Sequence, residues 1–442
     1  MSRPKHQLTL IAFLGLSILF QAGWPGAARA DNDTTGLDAG SSSIDASANY
    51  NVVAGTNQTV SANDTGNIVS GNQNTLQTDA DNNSVSGTNN TVNGDSNLVS
   101  GNNNTVTGSN SVALMGATVS GNSNVGIGQG ATVSSISAVA IGNDSAATNT
   151  YASALGYSAE ASGFYATALG VNSTASGDWA SALGSGAEAA GRGATALGTG
   201  ATASGIYAAA LGYSAEASGA YTTALGTGAT ASGTYATVVG YNSQATGTGA
   251  TALGENATAS GNYAAALGHS AQASGDNSLA LGRDTIASGS YATALGFNSH
   301  ATGISAIALG DSATASSNYA IALGDSATAS GLLASAVGTQ AQATGASATA
   351  MGYRAAAAGA DSAALGSYAK ASGVSATALG TSATASGNYA AALGYGSQAT
   401  GTSATALGTS ATASASNSTA LGDSASVAST ASGGTALGQN AS

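Results

Sequence analysis

A fourteen-residue repeat constrains the fold of this chain more than any other feature of the sequence. One copy, residues 151–164, reads YASALGYSAEASGF, and the next, residues 165–178, reads YATALGVNSTASGD. The glycine after the aliphatic residue recurs every fourteen residues from Gly128 to Gly422, and a last copy follows two residues late, at Gly438. A repeat this regular predicts a stack of similar units, each of which contacts only its neighbours.

Composition and charge exclude some classes of function for this chain. The chain has 442 residues with 64 glycines, no cysteine and 6% charged side chains. All 20 acidic residues follow residue 30, whereas Arg3, Lys5 and Arg29 precede that point and leave four basic residues beyond it. No basic patch is available to neutralise phosphates, so we expect no nucleic-acid binding. The acidic charge is expected to keep a long β-rod soluble.

The first thirty residues have the features of a secretory signal peptide. A positive start with Arg3 and Lys5 precedes an apolar stretch at residues 8–20, and a small-x-small cleavage site ends at Ala30. The apolar stretch is too short for a good membrane anchor. We predict cleavage after Ala30, with an uncleaved tether as the alternative, and no membrane span. Residues 31–51 are polar and irregular and are predicted to be a flexible N-terminus.

Residues 52–125 carry a weaker version of the repeat. Their glycines recur every seven residues, as at Gly87, Gly94 and Gly101, within segments such as VSGTNN and VNGDSN. Seven is half of fourteen, so we predict a degenerate form of the structure built by residues 126–442. Asparagine tolerates the left-handed backbone of turns, and asparagines stacked in successive coils can hydrogen-bond as a ladder.

A seven-residue period is also typical of a coiled coil, but the residues argue against a helix. Glycine costs about 1 kcal/mol in a helix interior, and there are almost no Glu–Lys pairs to offset it. The alternation has period two, as in Ala152-x-Ala154 and Ala159-x-Ala161, and both prolines lie in the leader. The predicted fold class is therefore all-β, a parallel solenoid of fourteen-residue coils.

Each position of the repeat, counted from Tyr151 as position 1, has an expected place in the coil. Positions 2, 4, 9 and 11 are nearly always small, so two short strands are expected to face each other across an interior that admits methyl-sized groups. Positions 1, 3 and 5 then point outward on one face, with an aliphatic residue at position 5 in every copy. Positions 8, 10 and 12 point outward on the other, where Glu160, Gln244 and Lys370 at position 10 require solvent.

The aliphatic and aromatic face runs along the whole rod. At about 4.8 Å per coil, roughly 22 coils extend on the order of 100 Å, and a stripe of that length exceeds the apolar patch that a monomer tolerates. We therefore predict an obligate homo-oligomer that associates along positions 1, 3 and 5. The position-5 residues that represent this interface are Leu155, Leu169, Leu183, Leu197, Leu211, Leu225, Val239 and Leu253.

No catalytic, metal or cofactor site is predicted, and we expect no enzymatic activity. Beyond the leader the histidines are His269 and His300, both at variable exposed positions, and the chain lacks cysteine for metal clusters. Binding would use shallow surface spread over many coils, since exposed aromatics are good contact residues. The candidates at the variable position 7 are Tyr157, Tyr213, Tyr241, Arg283, Tyr353 and Tyr395. Alternatively, stacked tyrosines at turns only cover the backbone.

A purely structural or ice-binding secreted solenoid is the alternative function. Threonine recurs at positions 3 and 10, and flat threonine arrays can order water. The position-10 row is interrupted by Glu, Gln, His, Ile and Lys, however, which spoils a flat lattice.

The repeat resembles the head repeats of YadA-type trimeric autotransporter adhesins. That family's repeat has the form Asn-Ser-Val-Ala-Ile-Gly-x-x-Ser-x-Ala-x-Gly. Here residues 137–142 read SAVAIG, and later copies read ATALGxxATASG. The similarity covers about residues 110–442 and extends more loosely from residue 52. It implies a left-handed parallel β-roll, a homotrimer, and a virulence-associated adhesin that attaches to host extracellular matrix or cells and promotes auto-aggregation.

The sequence departs from that family beyond the head. Such adhesins continue into a coiled-coil stalk and an outer-membrane β-barrel anchor, whereas Ser442 falls in mid-repeat. We expect a fragment of a longer exported protein held at the outer membrane by a C-terminal anchor. The alternative is a protein secreted without an anchor.

Overall fold

The computed structural model describes residues 42–442, so the predicted signal peptide and its cleavage site at Ala30 lie outside the described residues. The described chain is a β-solenoid in which each coil contributes one strand to each of two sheets of 28 strands. All pairings between neighbouring strands are parallel, and residues 42–442 contain no helix. The predicted all-β parallel solenoid of fourteen-residue coils is confirmed.

Sheet A contains the strands of positions 3 to 5. Each strand pairs with its counterpart one coil away, so Ser153 lies beside Thr167 and Leu155 beside Leu169. Its strands are Val52–Thr56, Ile68–Asn72, Ser84–Thr88, Leu98–Asn102, Val112–Leu114, Val125–Ile127 and Val139–Ile141, then one strand every fourteen residues from Ser153–Leu155 to Thr419–Leu421, and lastly Thr435–Leu437.

Sheet B contains the shorter strands of positions 10 and 11. Here Glu160 pairs with Thr174 and Ala161 with Ala175. Its strands are Ser43–Ile44, Thr59–Val60, Thr75–Leu76, Thr91–Asn93, Thr105–Thr107, Thr118–Ser120 and Thr132–Val133, then one strand every fourteen residues from Ala146–Ala147 to Ser426–Val427.

The core is a thin layer of methyl groups between the two sheets. Ala152, Ala154, Ala159 and Ala161, at positions 2, 4, 9 and 11, are each 0% exposed. The same four columns of small residues continue along the alanine coils, as the repeat predicted. Because a parallel sheet stacks identical positions, each alanine packs on the alanines of the coils above and below.

Glycines at positions 6 and 13 allow the coils to stack at this spacing. Gly156 at position 6 has φ = 139°, a backbone conformation open essentially only to glycine. A Cβ added there would overlap the carbonyl oxygen of Gly170 in the next coil, and one added to Gly163 would overlap that of Gly177. The recurrence of glycine, strict at position 6 and frequent at position 13, therefore reflects contact between the backbones of neighbouring coils.

Positions 1 and 8 differ from the expectation that the alternating pattern continues through them. Both lie in turns with a left-handed backbone, with φ = 59° at Tyr151 and φ = 50° at Ser158. The strands consequently span only two or three residues in each half of the alanine coil. Side chains at position 1 still point to solvent, but from a turn beside sheet A rather than from its strand.

The first coils are longer than the sequence indicated. Ser43 pairs with Thr59 and Thr59 with Thr75, so these coils contain sixteen residues rather than two seven-residue halves. The two additional residues lie in the turn that leads from sheet B to sheet A. The strand at Ser43–Ile44 also falls within residues 31–51, for which a flexible segment was expected. The two-residue slip near the C-terminus produces another sixteen-residue coil, in which Thr419 pairs with Thr435.

Two columns of buried asparagine replace alanine at positions 2 and 9 of the early coils. In one column, Asn67 Oδ1 accepts hydrogen bonds from the backbone N–H (2.8 Å) and Nδ2 (3.1 Å) of Asn83. In the other, Asn90 Oδ1 accepts the corresponding pair from Asn104 at 3.0 and 2.8 Å. The expected asparagine ladder is therefore present, inside the coil. Other asparagines, such as Asn103 with φ = 60°, take the left-handed turns.

Candidate functional surfaces

Sheet A carries a continuous row of aliphatic side chains, which we call the position-5 row. The structure brings all eight predicted interface residues into register: Leu155 pairs with Leu169, Leu169 with Leu183, and the row continues coil by coil through Val239 to Leu253. Residues that are fourteen apart in sequence are thus direct neighbours.

Exposure within the position-5 row alternates from coil to coil over this stretch. Leu169, Leu197, Leu225 and Leu253 are 44–45% exposed, whereas Leu155, Leu183, Leu211 and Val239 are half-buried. The row therefore has a 28-residue period in its surface, twice the period of the backbone. An isolated chain leaves this apolar strip in contact with water along its length.

On the same side of the coil, the aromatic residues at position 1 between Tyr151 and Tyr235 form a second feature, which we call the aromatic ladder. Tyr151 stacks on Tyr165 with ring centroids 4.5 Å apart. Tyr221 stacks on Tyr207 at 5.5 Å and on Tyr235 at 5.2 Å. Since the faces of these rings cover one another, their edges and hydroxyl groups are what the solvent meets. The sequence placed position 1 on the apolar face, but it did not indicate ring stacking between coils.

Arg192 fills the one gap in the first part of the aromatic ladder. Position 1 of that coil is Gly193, and the Tyr207 ring lies over it. The Arg192 guanidinium carbon lies 5.4 Å from the Trp179 ring centroid and 5.7 Å from that of Tyr207, and its Nη2 donates to Tyr207 Oη at 3.2 Å. The cation thus bridges two aromatic segments by cation–π contacts.

The aromatic residues of the ladder adopt a backbone that bulky side chains normally avoid. Tyr151, Tyr165, Trp179 and Tyr207 have φ between 52° and 59°. Left-handed backbone costs roughly 1–2 kcal/mol for a residue with a Cβ, and asparagine or glycine would fit the same turn more easily. Stacking between neighbouring rings, worth about 0.5–1.5 kcal/mol per pair, offsets part of this cost.

The outer face of sheet B is mainly polar and has no continuous aliphatic row of the kind that sheet A carries at position 5. Glu160, Glu188 and Glu216 at position 10 alternate with threonines of the intervening coils. The glutamates are exposed and stand two coils, about 10 Å, apart. Such a face suits solvent and separates like charges along the rod.

The six candidate contact residues are exposed but do not form one site. Tyr157, Tyr213, Tyr241 and Tyr395 are 52–64% exposed and lie at turns separated by two or more coils. Arg283 lies over the Phe297 ring at 5.2 Å and pairs with Asp284.

Of the six, Tyr353 lies in a cluster with a second aromatic residue and an arginine. Its ring meets that of Tyr368 edge-on at 5.3 Å, and the Arg354 guanidinium carbon is 5.3 Å from its centroid. Arg354 and Tyr368 were not singled out from the sequence. Their positions in the repeat, 8 in consecutive coils, are the signal that places them together.

Neither metal ligation nor a membrane span is evident in residues 42–442. No group of three or more His, Asp or Glu side chains in this range is arranged to hold a metal ion. Within the same range, there is no helix with the length and apolarity needed to cross a bilayer.

A comparison with protein-family models matches the sequence of the alanine coils. The model of the YadA head domain repeat, which spans two copies of the unit, matches thirteen segments, some of which overlap, from residues 125–145 to residues 399–425. The comparison with curated proteins gives no match. Because the matched segments cover more than half of the chain, the protein belongs to the family of the YadA head domain repeat.

Proposed function

We propose that this chain is the head of a bacterial surface adhesin that assembles as a homotrimer and attaches to host extracellular matrix or to cells. The observation that carries the proposal is the family match over residues 125–425, which assigns the chain to an adhesin-type β-roll. The polar face of sheet B would face the surroundings, and sheet A would face the partner chains. A left-handed coil and export through a cleaved leader ending at Ala30 complete the proposal.

The position-5 row supports self-association. Its leucines are 44–45% exposed at every second coil from Leu169 to Leu253, and this apolar strip continues to the C-terminal coils, where Leu407 is 42% exposed. A strip along the whole rod is far larger than the patches of a few hundred Å² found on monomers. Identical coils allow a second and third copy to cover it in register, since every position along the row offers the same surface.

Substitutions on the two faces provide a matched test of the trimer. The variant L197E/L225E places two charges in the position-5 row, and we expect it to sediment as a folded monomer while the unmodified chain sediments as a trimer. The control variant T258E/T412E places two glutamates at position 10, the position at which Glu188 and Glu216 occur naturally, in coils whose neighbours are uncharged there. It should remain trimeric. A monomeric unmodified chain, or a trimer that survives L197E/L225E, would contradict this interface.

Adhesion is tested with the same proteins. The trimer, immobilised on beads, is expected to retain collagen, laminin or fibronectin, or cultured epithelial cells. Retention should exceed that of beads coated with the same protein after denaturation, and T258E/T412E should behave like the unmodified chain. Loss of retention in the monomeric variant would link adhesion to assembly. Absence of retention on every matrix protein and cell type would overturn adhesion while leaving the trimer intact.

A further inference from the structure

Basic residues are scarce in the described chain, and two of them lie in neighbouring coils on the polar side. Beyond the leader, the basic residues are Arg192, Arg283, Arg354 and Lys370. Arg354 occupies position 8 of its coil, and Lys370 occupies position 10 of the next. Lys370 pairs across sheet B with Ala356, which is two residues beyond Arg354. The backbones of Arg354 and Lys370 are therefore one coil apart along the rod, roughly 4.8 Å, and two residues apart across it, at most about 7 Å.

These cations border a surface cleft of about 450 Å³. The cleft is a grid of two columns over three coils. Position 8 contributes Gln340, Arg354 and Tyr368, and position 10 contributes Gln342, Ala356 and Lys370. The depression lies over Ala356, because its side chain is short and the side chains on the flanking coils are longer. Its size falls within the range of about 300–1,000 Å³ that is usual for small-molecule clefts.

Arg354 is held in place at the edge of the cleft. Its Nε donates to Gln340 Oε1 at 2.6 Å, and its guanidinium carbon lies 5.3 Å from the Tyr353 centroid and 5.9 Å from that of Tyr368. The Nε bond uses one of five N–H donors, which leaves the terminal nitrogens for a planar anion. A positioned guanidinium loses less entropy when it binds a ligand than a free one does.

Neither cation of the cleft has an acidic partner. The ion pairs within residues 42–442 involve His269, Arg283 and Asp284, and none reaches Arg354 or Lys370. The position-10 residues near the cleft, Gln342, Ala356 and Thr384, are also uncharged. In an acidic chain, two unpaired cations beside a depression form a local site of positive potential.

We propose that this cleft binds an acidic saccharide, a pyranose that carries a carboxylate or a sulfate group. Arg354 and Lys370 would bind the anionic group, Gln342 would bind ring hydroxyls, and the Tyr368 ring would pack against the apolar face of the sugar. An inorganic anion would use the cations but not the aromatic wall, and a neutral sugar would use the wall but not the cations. The combination of both fits a sugar acid. The inference deepens the proposed adhesive function by naming a ligand class, but the cleft itself requires no partner chain.

Calorimetric titration of the full-length chain with three hexasaccharides tests the proposal. The probes are a heparin hexasaccharide with sulfates and carboxylates, a hyaluronan hexasaccharide with carboxylates, and neutral maltohexaose. We expect at least one acidic probe to bind tenfold or more tightly than maltohexaose, and the comparison of the two acidic probes separates sulfate from carboxylate recognition. Equal affinity for all three, or binding of none, would overturn the proposal without affecting adhesion to protein ligands.

Variants drawn from neighbouring coils connect binding to the cleft. In R354S/K370T, the new residues occur naturally at the same positions of later coils. Ser382 lies two coils after Arg354, and Thr384 lies one coil after Lys370, so the variant should fold normally. The expected loss of affinity for the acidic probe is tenfold or more, since two charge-assisted contacts are removed. Y368S, again with the residue of position 8 in the next coil, should weaken binding several-fold and leave the preference for acidic over neutral probe in place.

The control variant T258E/T412E lowers the net charge by the same two units on the same face, at coils that lie at least three coils from Lys370 and Arg354. With a Debye length of about 8 Å at physiological salt, it should change the affinity by less than threefold. An equal loss in both double variants would show general attraction to the rod rather than a site, and would overturn the proposal.

Discussion

The early coils of residues 42–125 and the alanine coils of residues 126–442 build the same two sheets around different interiors. In the early coils, Val85 and Val92 occupy the core columns and are at most 1% exposed, as is Leu76. In the later coils, alanine fills both columns apart from Gly126, Val133, Val238 and Val427. Each buried CH₂ contributes about 0.8 kcal/mol, so an early coil gains more from apolar burial than an alanine coil. The alanine coils gain less per coil, but their stability adds up over many coils and many regular contacts between neighbouring coils.

The two regions also close their corners differently. Asn83 donates its backbone N–H to the side chain of Asn67 in the preceding coil, whereas Ala152 donates its N–H to the carbonyl oxygen of Asn149 in its own turn, at 3.1 Å. A corner made of asparagine therefore ties neighbouring coils together, and a corner made of alanine is closed locally. Buried polar groups are tolerated in the early coils because each finds a partner along the column.

The change from one interior to the other is gradual. At the junction, Gly126 faces Val119, and a Cβ on the glycine would lie 2.7 Å from Val119 Cγ2. The smallest residue thus stands opposite a large one before both columns become alanine at Ala140 and Ala147. A solenoid can change the residues of its core while keeping strand pairing, provided that the facing side chains fill a constant gap.

The largest effect is expected from breaking an asparagine corner. Asn67→Ala leaves the Asn83 N–H without its acceptor at 2.8 Å and the carbonyl of Ala80 without its donor at 2.7 Å, whereas Asn83 Nδ2 keeps its bond to the Gly94 carbonyl. At about 1–3 kcal/mol for each of the two orphaned groups, local opening should become easier by roughly 2–6 kcal/mol. Peptide-level hydrogen exchange of the full chain measures this. Ser173→Ala, which removes one bond to Gly170 (2.9 Å) from an alanine-type corner, should cost about 1 kcal/mol or less.

Asn110→Gly is the control for this comparison, because Asn110 is exposed and its φ of 60° suits glycine. It should change the opening free energy by about 0.5 kcal/mol or less. Similar effects of Asn67→Ala and Ser173→Ala would remove the distinction between the two kinds of corner.

The next effect concerns the thickness of the interior. Leu76→Ala opens a cavity in an early coil and should lower stability by about 2–5 kcal/mol. The reverse change in an alanine coil, Ala203→Leu, inserts three carbons where the residue is 0% exposed and should cost about 1–3 kcal/mol or more through overpacking. Urea unfolding of both variants checks the pair. If Ala203→Leu were neutral, the gap between the sheets would be adjustable and the comparison of interiors would fail.

A third prediction concerns what the two regions share. Gly198→Ala places a Cβ against the Gly212 carbonyl at φ = 137°, and Gly87→Ala repeats this in an early coil at φ = 117°. Both should cost about 1–3 kcal/mol from backbone strain alone. Gly200→Ser, in the same coil as Gly198, has φ = 65° and only Ser214 Oγ at 3.6 Å, so its effect should stay within about 1 kcal/mol. Thermal unfolding distinguishes the three, and equal effects would show that glycine stacking is unimportant.

The smallest effect is a pH dependence confined to the early coils. Asp64 is fully buried in a sixteen-residue coil, where Oδ2 accepts from the Ser61 N–H at 2.9 Å and Oδ1 from the Ala80 N–H at 2.8 Å. Burial raises the pKa of its carboxyl above the ordinary value of 3.8; the two N–H bonds oppose this shift, and nearby Asp81 and Asp79 add to it.

A raised pKa in the fold has a defined consequence for stability. The folded state binds the Asp64 proton more tightly than the unfolded state, so this contribution is full below pH 3.8 and is lost as pH rises through the folded pKa. The stability of Asp64→Asn relative to the unmodified chain should therefore improve between pH 3.5 and pH 7, because the amide stays neutral. Thermal unfolding at both pH values measures this, and a pH-independent difference would contradict the prediction.

Much of the coil was predictable because its constraints repeat. Ala154 and Ala161 were assigned to the interior from period-two alternation, and both are completely buried. Tyr151 was assigned to a strand by the same alternation, but it lies in a left-handed turn, since alternation carries no information on where a strand begins. The sixteen-residue coils were missed because the seven-residue spacing of later glycines, such as Gly87 and Gly94, masked a longer first turn.

Of the candidate surfaces, one was predictable from the repeat and one was not. Leu155 and Leu169 could be assigned to one exposed row because every copy carries an aliphatic residue at position 5. The cleft between Arg354 and Lys370 could not be found by pattern, since the two residues differ in position and lie sixteen residues apart. Their proximity depends on Ala356 and Lys370 being paired in register.

By itself, the sequence determined the period, the thin alanine core and the apolar outer row, because each follows from side-chain size and polarity within a single unit. Only the tertiary structure decided which residues of different coils touch. The stacking of Tyr151 on Tyr165, the hydrogen bonds of Asn67 with Asn83, and the cleft around Ala356 all depend on the length of each coil. Coils of sixteen residues keep equivalent positions paired and absorb the additional residues in a turn, so contacts between coils are a property of the assembled stack and not of the repeat alone.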